Sequence, residues 1–358
     1  RSEFKGGAKS QDFYNINLYH TIDQDNKSVV GFKKSEVSFR DFLWFINENE
    51  SNHDNKIIFN KSLNDFEVKN ISLSHEGQQM NLNAILKGED YKDINLDFND
   101  VDLAKIAPST NNLTFAGTID GSIQVKQLQP DQYKPTADIH IEKFILNDQH
   151  IGDLKFNVVG DDKFRKFNVD TRIVDQGAEK LYLTGAIDFE SDKKGKLDLE
   201  VGLDKFKMVP LEKVLGTIFK NIRGFASGKA LVEGNLTDPE MNGRVYLNDA
   251  GMQIPFLGID FDMEQNASID VTENQFLLRH IKVTDTKHNT LAYIDGSVRH
   301  KRMQDWFLDV DVTSKNMLIL DTKDDLEKPF YGTAFIDGKA NISGPTNSLV
   351  IDIEAKSN

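Results

Sequence analysis

Apolar and polar residues alternate along most of this chain from about residue 57 onward. Three stretches, each with an apolar side opposite an acidic or amide side, show it most clearly: 94–103, 197–206 and 307–316. A related alternating stretch precedes each of them, at 82–86, 181–187 and 291–298. Period-two alternation is typical of a β-strand with one buried face. The pattern therefore predicts three copies of a strand, a short loop and an acidic strand.

A glycine motif follows each acidic stretch. Gly228 to Gly234 (GKALVEG) and Gly338 to Gly344 (GKANISG) are closely similar, and a looser copy runs from Gly121 to Gln127. The copies lie about 110 residues apart, which is the length of several strands. Glycine inside a strand marks a bend, a bulge or a close backbone approach, and the prolines that follow cannot continue a central ladder. Each copy is therefore predicted to be a strand that ends at a corner.

Two segments suggest helices. After a predicted strand at 13–22, residues 39–46 place Phe and Leu at helical spacing and predict a short helix. Between the second acidic stretch and its glycine motif, an amphipathic helix is predicted over 209–222, with Pro210 in its first turn and Gly224 as its cap. Its apolar stripe consists of Leu211, Val214, Leu215, Ile218, Phe219 and Ile222. Such a stripe packs against its own sheet or lies on a membrane surface.

The remaining segments between 57 and 356 are predicted to be strand or turn, which gives an all-β, mainly antiparallel sheet with one apolar face. The predicted division is an N-terminal strand and short helix (1–56) and three repeats (57–150, 151–250 and 251–358), forming one continuous array. A second sheet, closure into a barrel, or a trough filled by ligand would each cover the apolar face. The alternation does not choose among them.

Composition and charge exclude several classes of function. The formal net charge of −14 argues against nucleic acid, which needs a basic surface, and against tight adsorption of the whole body to an anionic lipid surface. The absence of cysteine excludes disulfides and cysteine metal sites. Apolar runs are too short for a membrane-spanning helix, and no signal peptide is recognisable. The start, Arg1 to Gly7, resembles a tag or an arbitrary cut, so we expect an internal fragment of a longer protein.

Catalytic chemistry is not indicated. The eight histidines are scattered, and the nearest approach to a metal-binding pattern is His280 with Asp285 and His288. The acidic turn from Asp321 to Glu327 is a weak calcium candidate. No nucleophile elbow or phosphate-binding glycine loop occurs. We therefore expect a protein that is not an enzyme and that holds no metal and no cofactor.

Several motifs, taken in order, resemble one family. They are the corner motif at 228–243, the stretch 254–261 (IPFLGIDF) and the tail 330–345 (FYGTAFIDGKANISGP). Together they are similar to the TamB family, the translocation and assembly module of the Gram-negative envelope within the AsmA-like, bridge-like lipid transfer group. The resemblance is of the Bacteroidota type and is clearest from about Phe225 to the C-terminus.

The resemblance implies an elongated, curled β-sheet, a β-taco whose groove is apolar inside and polar outside. It implies a periplasmic protein held at the inner membrane by an N-terminal helix. An outer-membrane barrel of the TamA or BamA type would be its partner, reached through a C-terminal domain. Neither the anchor nor that domain is evident from the sequence.

The leading hypothesis from this resemblance is a groove that conducts phospholipids between the inner and outer membranes in outer-membrane biogenesis. Phospholipid acyl chains would contact alternating positions of the repeats: Ile94, Leu96, Phe98, Leu197, Leu199, Val201, Ala230, Val232, Leu308, Val310, Val312, Ala340 and Ile342. The alternatives are an assembly factor or chaperone for outer-membrane β-barrel proteins and a β-rich structural surface stalk.

Overall fold

The computed structural model describes residues 2–6, 12–39, 42–50, 54–107, 113–215, 219–301, 305–323 and 331–357. Strand accounts for 76% of the chain and helix for 3%, so the predicted all-β class is confirmed. All the strand pairs described below are antiparallel, also as predicted.

The chain divides into two compact units. The first lies within residues 1–109, 114–145 and 152–171, and the second within 110–113, 146–151 and 172–358.

The strands of the first unit begin with a small N-terminal group and continue as long hairpins. They are β1 (Ser2–Gly6), β2 (Phe13–Ile22), β3 (Ser28–Phe32), β4 (Ser35–Phe39), β5 (Phe42–Ile46), β6 (Lys56–Phe59), β7 (Asp65–His75), β8 (Gln78–Lys87), β9 (Tyr91–Asp102), β10 (Phe115–Gln129), β11 (Gln132–Leu146), most of β12 (Gln149–Gly160) and the start of β13 (Lys166–Asp175). β2 pairs with β1, β3 and β4. β7 pairs with β5 and β6 along one edge and with β8 along the other. β8, β9 and β10 then pair in chain order.

The second unit is a long meander. Its strands are β14 (Ala178–Asp188), β15 (Lys196–Lys207), β16 (Lys220–Asn235), β17 (Asp238–Ile254), β18 (Ile259–Met263), β19 (Ala267–Thr272), β20 (Gln275–Asp285), β21 (Leu291–Lys301), β22 (Asp305–Thr322), β23 (Gly332–Pro345) and β24 (Val350–Ser357). The short strands β18 and β19 together fill one position between β17 and β20. All other neighbours pair in chain order.

The predicted helix at 39–46 is wrong. Residues 42–46 form β5, whose Trp44 pairs with Val37 of β4 and is 1% exposed. Phe42, Trp44 and Ile46 alternate as a strand requires, and so short a run of apolar residues fits either period. Pairing with β4 and β7 decides the outcome in favour of the strand.

The predicted helix at 209–222 is also wrong in its extent. The segment contains a 3-10 turn at Val209–Leu211 and one helical turn, α2, at Glu212–Leu215, and β16 begins at Lys220. Pairing with β17 takes Ile222 into the sheet, where Glu212 accepts a hydrogen bond from its backbone N–H (3.0 Å). Gly224, with φ +94°, lies in a strand irregularity rather than at a helix end. A further short helix, α1 at Leu103–Ile106, was not predicted and is capped by Asp102.

Candidate functional site

The predicted lining residues of the second unit lie on one face of the sheet. In antiparallel strands, directly paired residues share a face. Leu199 pairs with Val232 and Val201 with Ala230 between β15 and β16. Between β22 and β23, Val310 pairs with Ile342 and Val312 with Ala340. Leu197 and Leu308 are on the same face because each is two residues from a paired member of its own strand.

The lining residues of the first unit show the same register. Leu96 lies between Leu82 of β8 and Ile123 of β10. Phe98 lies between Met80 and Gly121, and Ile94 between Ala84 and Val125. The acidic strand of this repeat therefore has apolar neighbours on both sides. All three predicted residues lie on one face of the sheet.

The apolar pairs of the second unit join into rows that cross ten strands without a polar residue. We call this surface the apolar face; it comprises the lining residues of the second unit named above and two rows. The first row is Leu181, Leu203, Gly228, Val245, Ile269, Leu278, Gly296, Val310, Ile342 and Ile351. The second, over nine strands, is Leu183, Val201, Ala230, Gly243, Val271, Phe276, Val298, Leu308 and Gly344.

Glycines of the apolar face sit where strands approach closely. A Cβ on Gly228 would lie 2.2 Å from the carbonyl oxygen of Arg244, and one on Gly296 would lie 2.2 Å from that of Asp309. Both have strongly positive φ, +149° and +131°. Gly228 therefore shows the close approach expected of the repeated glycine motif, Gly296 shows it in the stretch 291–298, and neither position has room for a larger residue.

Burial varies among the predicted lining residues. Six are buried: Leu197, Leu199, Ala230, Leu308, Val310 and Ala340. The other seven keep partial or full exposure: Ile94, Leu96, Phe98, Val201, Val232, Val312 and Ile342. A face with this mixture has apolar area still in contact with solvent.

The opposite side of the same strands is polar. Arg244 of β17 is 2.5 Å from the Asp270 carboxylate of β19, and Arg279 of β20 approaches that carboxylate to 3.0 Å. The hydrogen bond from Arg244 lowers the pKa of Asp270 below its usual value. Lys229 similarly pairs with Glu200 at 3.3 Å. Cross-strand ion pairs of this kind are typical of a solvated sheet surface.

A recurring bulge, which sequence reasoning did not identify, bends the strands. Residues with positive φ interrupt β7, β9, β11, β15, β17 and β20, and a side-chain oxygen of a nearby residue accepts a hydrogen bond from the backbone N–H of each. The bulge and its acceptor are Asn70 with Asn83, Asp100 with Asp120, Lys143 with Asp153, Lys205 with Ser227, Asp249 with Gln265, and His280 with Asp295. Bulges increase local bending and twist. In the sequence, such a bulge is marked only by a polar residue in one strand and a polar acceptor in the neighbouring strand. Pairs of this kind are too common in β-sheets to predict a bulge.

The second unit has one cluster of buried apolar residues, which form its core. Met208, Ile222, Ala226, Leu247, Ala250, Ile259, Phe261, Ala267, Ile281, Val283, Ala292 and Met317 form one cluster. Leu203, Val245, Ile269, Leu278 and Val312 pack against it as partly buried members. The first row of the apolar face therefore continues into this core.

The predicted helix stripe is not reproduced as a unit. Leu211 is 38% exposed in the 3-10 turn, whereas Ile222 is 3% exposed in β16 and belongs to the core cluster. Phe219 packs against that cluster from outside the helix. Val214 and Leu215 lie in α2, and Ile218 lies outside the described residues.

The metal candidates do not assemble where the structure describes them. The Asp285 carboxylate accepts hydrogen bonds from its own turn, from the N–H groups of Lys287, His288 and Thr290, while His280 contacts Asp295. Asp321 contacts the Lys287 ammonium and accepts from the Thr333 hydroxyl at 3.0 Å. His53 and residues 324–330 lie outside the described residues. Within the described ranges, no three metal-ligating side chains come together.

One comparison with known proteins is positive. The family model described as the TamB C-terminal domain matches residues 279–358, from β20 to the end of β24. This match supports membership of the TamB family. The matched segment contains the third acidic strand and its glycine strand, and the glycine strand lies in the tail motif 330–345 that carried part of the resemblance in the sequence. No curated protein and no solved structure matches the chain.

The match corrects one expectation. The family's C-terminal domain was not evident from the sequence motifs, yet the model for that domain matches residues 279–358. The TamB family is associated with the bacterial envelope, with outer-membrane assembly and lipid transport, and with TamA-type outer-membrane proteins. In the described part of the chain, no helix has the length and apolar character needed to span a membrane.

Proposed function

We propose that this chain forms part of a groove that conducts phospholipids between the inner and outer membranes, with the acyl chains on the apolar face. The observation that supports this most is the register of the second unit, in which apolar residues and glycines follow one another across ten strands. The rows contain no polar side chain at which a sliding acyl chain would be held.

The energetics suit transport. An acyl chain gains roughly 0.8 kcal/mol for each methylene removed from water, and this contact is not directional. Partly exposed members such as Val201, Val232 and Ile342 still have apolar area to contribute. A chain could therefore move from one row to the next with similar contacts at each step.

The proposal places the protein in the periplasm, held at the inner membrane. Its outer-membrane partner would be a barrel of the TamA or BamA type. The segment 279–358 is the part of this chain best suited to that contact, because the C-terminal domain model matches it. We further propose that the chain acts without catalysis, cofactor or metal.

Site-specific photocrosslinking tests the route. A benzophenone amino acid would replace Ile342 on the apolar face and, as the matched control, Asn341 on the opposite side of the same strand. We expect lipid adducts at 342 in envelope preparations and far fewer at 341. Equal labelling at both positions would contradict the proposal.

The same experiment separates the alternatives. An assembly factor for barrel proteins would give adducts to unfolded outer-membrane protein, concentrated at sheet edges, and few to lipid. A structural stalk would give neither, since its apolar face would be packed against the protein itself.

A further inference from the structure

The connection between β15 and β16 contacts a hairpin turn that lies 63 residues earlier in the chain. We call residues 208–213, which contain the 3-10 turn and the first residues of α2, the strap. The turn between β11 and β12, residues 147–148, is the latch turn. Both segments belong to the second unit. The strap is therefore held from outside the two strands that it connects.

Two side chains of the latch turn contact the strap. The side-chain amide of Asn147 donates a hydrogen bond to the Pro210 carbonyl oxygen at 2.7 Å, and both residues are buried. The Lys213 ammonium is 2.7 Å from the Asp148 carboxylate, but the Asp148 side chain is 78% exposed. An exposed ion pair contributes little stability, whereas a buried hydrogen bond leaves unsatisfied groups when it breaks. The Asn147 bond is therefore the stronger of the two contacts.

The strap packs against the apolar face. Met208 is buried and belongs to the core cluster that contains Ala226 and Leu247. Those two residues pair with each other across β16 and β17, and each is two positions from a member of the first row, Gly228 or Val245. Residues two apart in a strand share a face. Met208 therefore holds the strap against the part of the core that continues the apolar face.

The strap has little stability of its own. It is built from a 3-10 turn of three residues and the start of an α-helical turn of four, and helices this short are not stable in isolation. Two hydrogen bonds connect it to β16: Met208 N–H donates to the Gly224 carbonyl oxygen at 3.0 Å, and the Glu212 carboxylate accepts from Ile222 N–H at 3.0 Å. Segments held by few contacts open locally at a small cost in free energy.

We propose that the strap is a lid on the apolar face, held closed by the latch turn and released when the hydrogen bond between Asn147 and Pro210 breaks. Release uncovers Met208 and the adjoining part of the core cluster, while the strands stay paired. An apolar ligand then gains contact with the uncovered area. The identification of that ligand as an acyl chain rests on the proposed conduit, whereas the movement of the strap does not.

Methionine oxidation by hydrogen peroxide, measured on the whole chain by mass spectrometry, tests the latch. Asn147→Gly removes the amide donor and keeps a residue that tolerates the positive φ of this position, +52°. The control is Asn289→Gly, the same substitution at a turn residue with φ +56°. Met317 is the internal reference, because it is buried in the same cluster but lies in β22. We expect Met208 to oxidise about tenfold faster in Asn147→Gly than in the control, with Met317 unchanged.

Two results of the oxidation experiment would overturn the proposal. Equal oxidation of Met208 in the two variants would mean that the latch turn does not hold the strap. A parallel rise at Met317 would mean that the whole cluster loosens, rather than that the strap moves.

A covalent lock tests whether the strap controls access to the apolar face. The chain contains no cysteine, so a short bismaleimide joins the two new thiols of a double variant, Asp148→Cys with Lys213→Cys, without side reactions at other thiols. Fluorescence follows the uptake of a pyrene-labelled fatty acid by the joined and the unjoined form of this variant. We expect joining to slow uptake about tenfold and to protect Met208 from oxidation, because the open form becomes less populated.

The combined results separate the lid from the conduit. Equal uptake by the joined and unjoined forms would refute the lid and leave the conduit in place. Uptake by neither form nor by the wild type, together with the expected response of Met208 oxidation, would refute the conduit and support the movement of the strap.

Discussion

The acidic strands β9 in the first unit and β15 in the second have the same alternation and the same kind of register but differ in their exposure. Leu197 and Leu199 of β15 are 4% and 8% exposed, whereas Ile94 of β9 is 37% exposed and Leu96 and Phe98 are half-buried. In β22 of the second unit, Leu308 and Val310 are as buried as the residues of β15, at 8% each. Alternation thus determines the face on which a side chain lies, but not how completely its neighbours cover it.

This difference matters for a proposed lipid path. An apolar ligand gains free energy only from apolar area that is still in water. If acyl chains contact both units, β9 therefore offers more binding free energy per residue than the tightly covered positions of β15.

The largest expected effect is on stability. Leu199→Ala should lower the free energy of unfolding by about 3 kcal/mol, because it removes buried methylenes and leaves a cavity. Ile94→Ala should cost less than about 1 kcal/mol, because part of that side chain is already in water. Urea denaturation, with hydrogen exchange of β9 and β15 peptides to identify the unit affected, measures both. Equal losses of unfolding free energy in the two variants would contradict the difference in burial between β9 and β15.

The glycines should make the two units behave alike. A Cβ would come within 2.1 Å of the Asp138 carbonyl oxygen at Gly121 and 2.2 Å of the Arg244 carbonyl oxygen at Gly228. Alanine at either position should cost about 2 kcal/mol through forced backbone shifts and a strained φ. Gly177→Ala is the control, since its φ is also positive but nothing lies within 4 Å. Thermal unfolding should rank Gly177→Ala as the mildest of the three; an equal loss there would attribute the effect to φ alone.

The bulge acceptors should also act alike, with a smaller effect. Asp153→Ala in the first unit and Asp295→Ala in the second each leave a bulge N–H, of Lys143 or His280, without its partner. We expect a loss of about 1 kcal/mol in each variant and faster exchange of that amide hydrogen. Asp309→Ala, an exposed carboxylate on β22, serves as the control and should change neither quantity. Unchanged exchange at Lys143 and His280 would mean that these acceptors do not hold the bulges.

The smallest effects concern pH. Burial by itself raises the pKa of Asp285, but the hydrogen bonds from the backbone of Thr290, Lys287 and His288 and from the Thr290 hydroxyl bring it below its ordinary value. In the first unit, burial likewise raises the pKa of Asp161, and backbone hydrogen bonds from Arg165 and Lys166 lower it overall. A carboxylate with a lowered pKa stabilises the fold above its unfolded pKa, near 3.8, and this stabilisation is lost as the pH falls through the folded value.

Stability should therefore decline below about pH 4. Asp285→Asn should flatten that decline more than Asp161→Asn does, because Asp285 is 1% exposed and Asp161 is half-buried. Urea midpoints measured between pH 3 and pH 6 provide the comparison. A steeper decline in Asp285→Asn than in the wild type would reverse the assigned sign.

Much of the apolar face could be predicted from the sequence, because the alternation of apolar and polar residues continues within each strand segment on either side of a bulge. The repeat order placed each acidic strand before a glycine strand, and the structure pairs the two, for example Leu199 with Val232 and Val310 with Ile342. The glycine motif itself indicated close backbone approach, which Gly228 shows.

The errors have a common physical cause. At 42–46 and again around Ile222, a short apolar run fitted a helix locally, and pairing with neighbouring strands decided otherwise. Such tertiary contacts are not encoded within the segment.

The central claim is that acyl chains occupy the apolar face, and adjacent residues of β16 allow a direct test. Val232 lies on that face opposite Leu199, and Leu231 lies on the polar side opposite Glu200. Native mass spectrometry with lipid extraction would compare the wild type, Val232→Glu and Leu231→Glu, all purified from an envelope-containing host, with circular dichroism to verify folding. We predict bound phospholipid in the wild type and in Leu231→Glu and its loss in Val232→Glu. Phospholipid retained by a folded Val232→Glu variant, or absent from the wild type, would contradict the account.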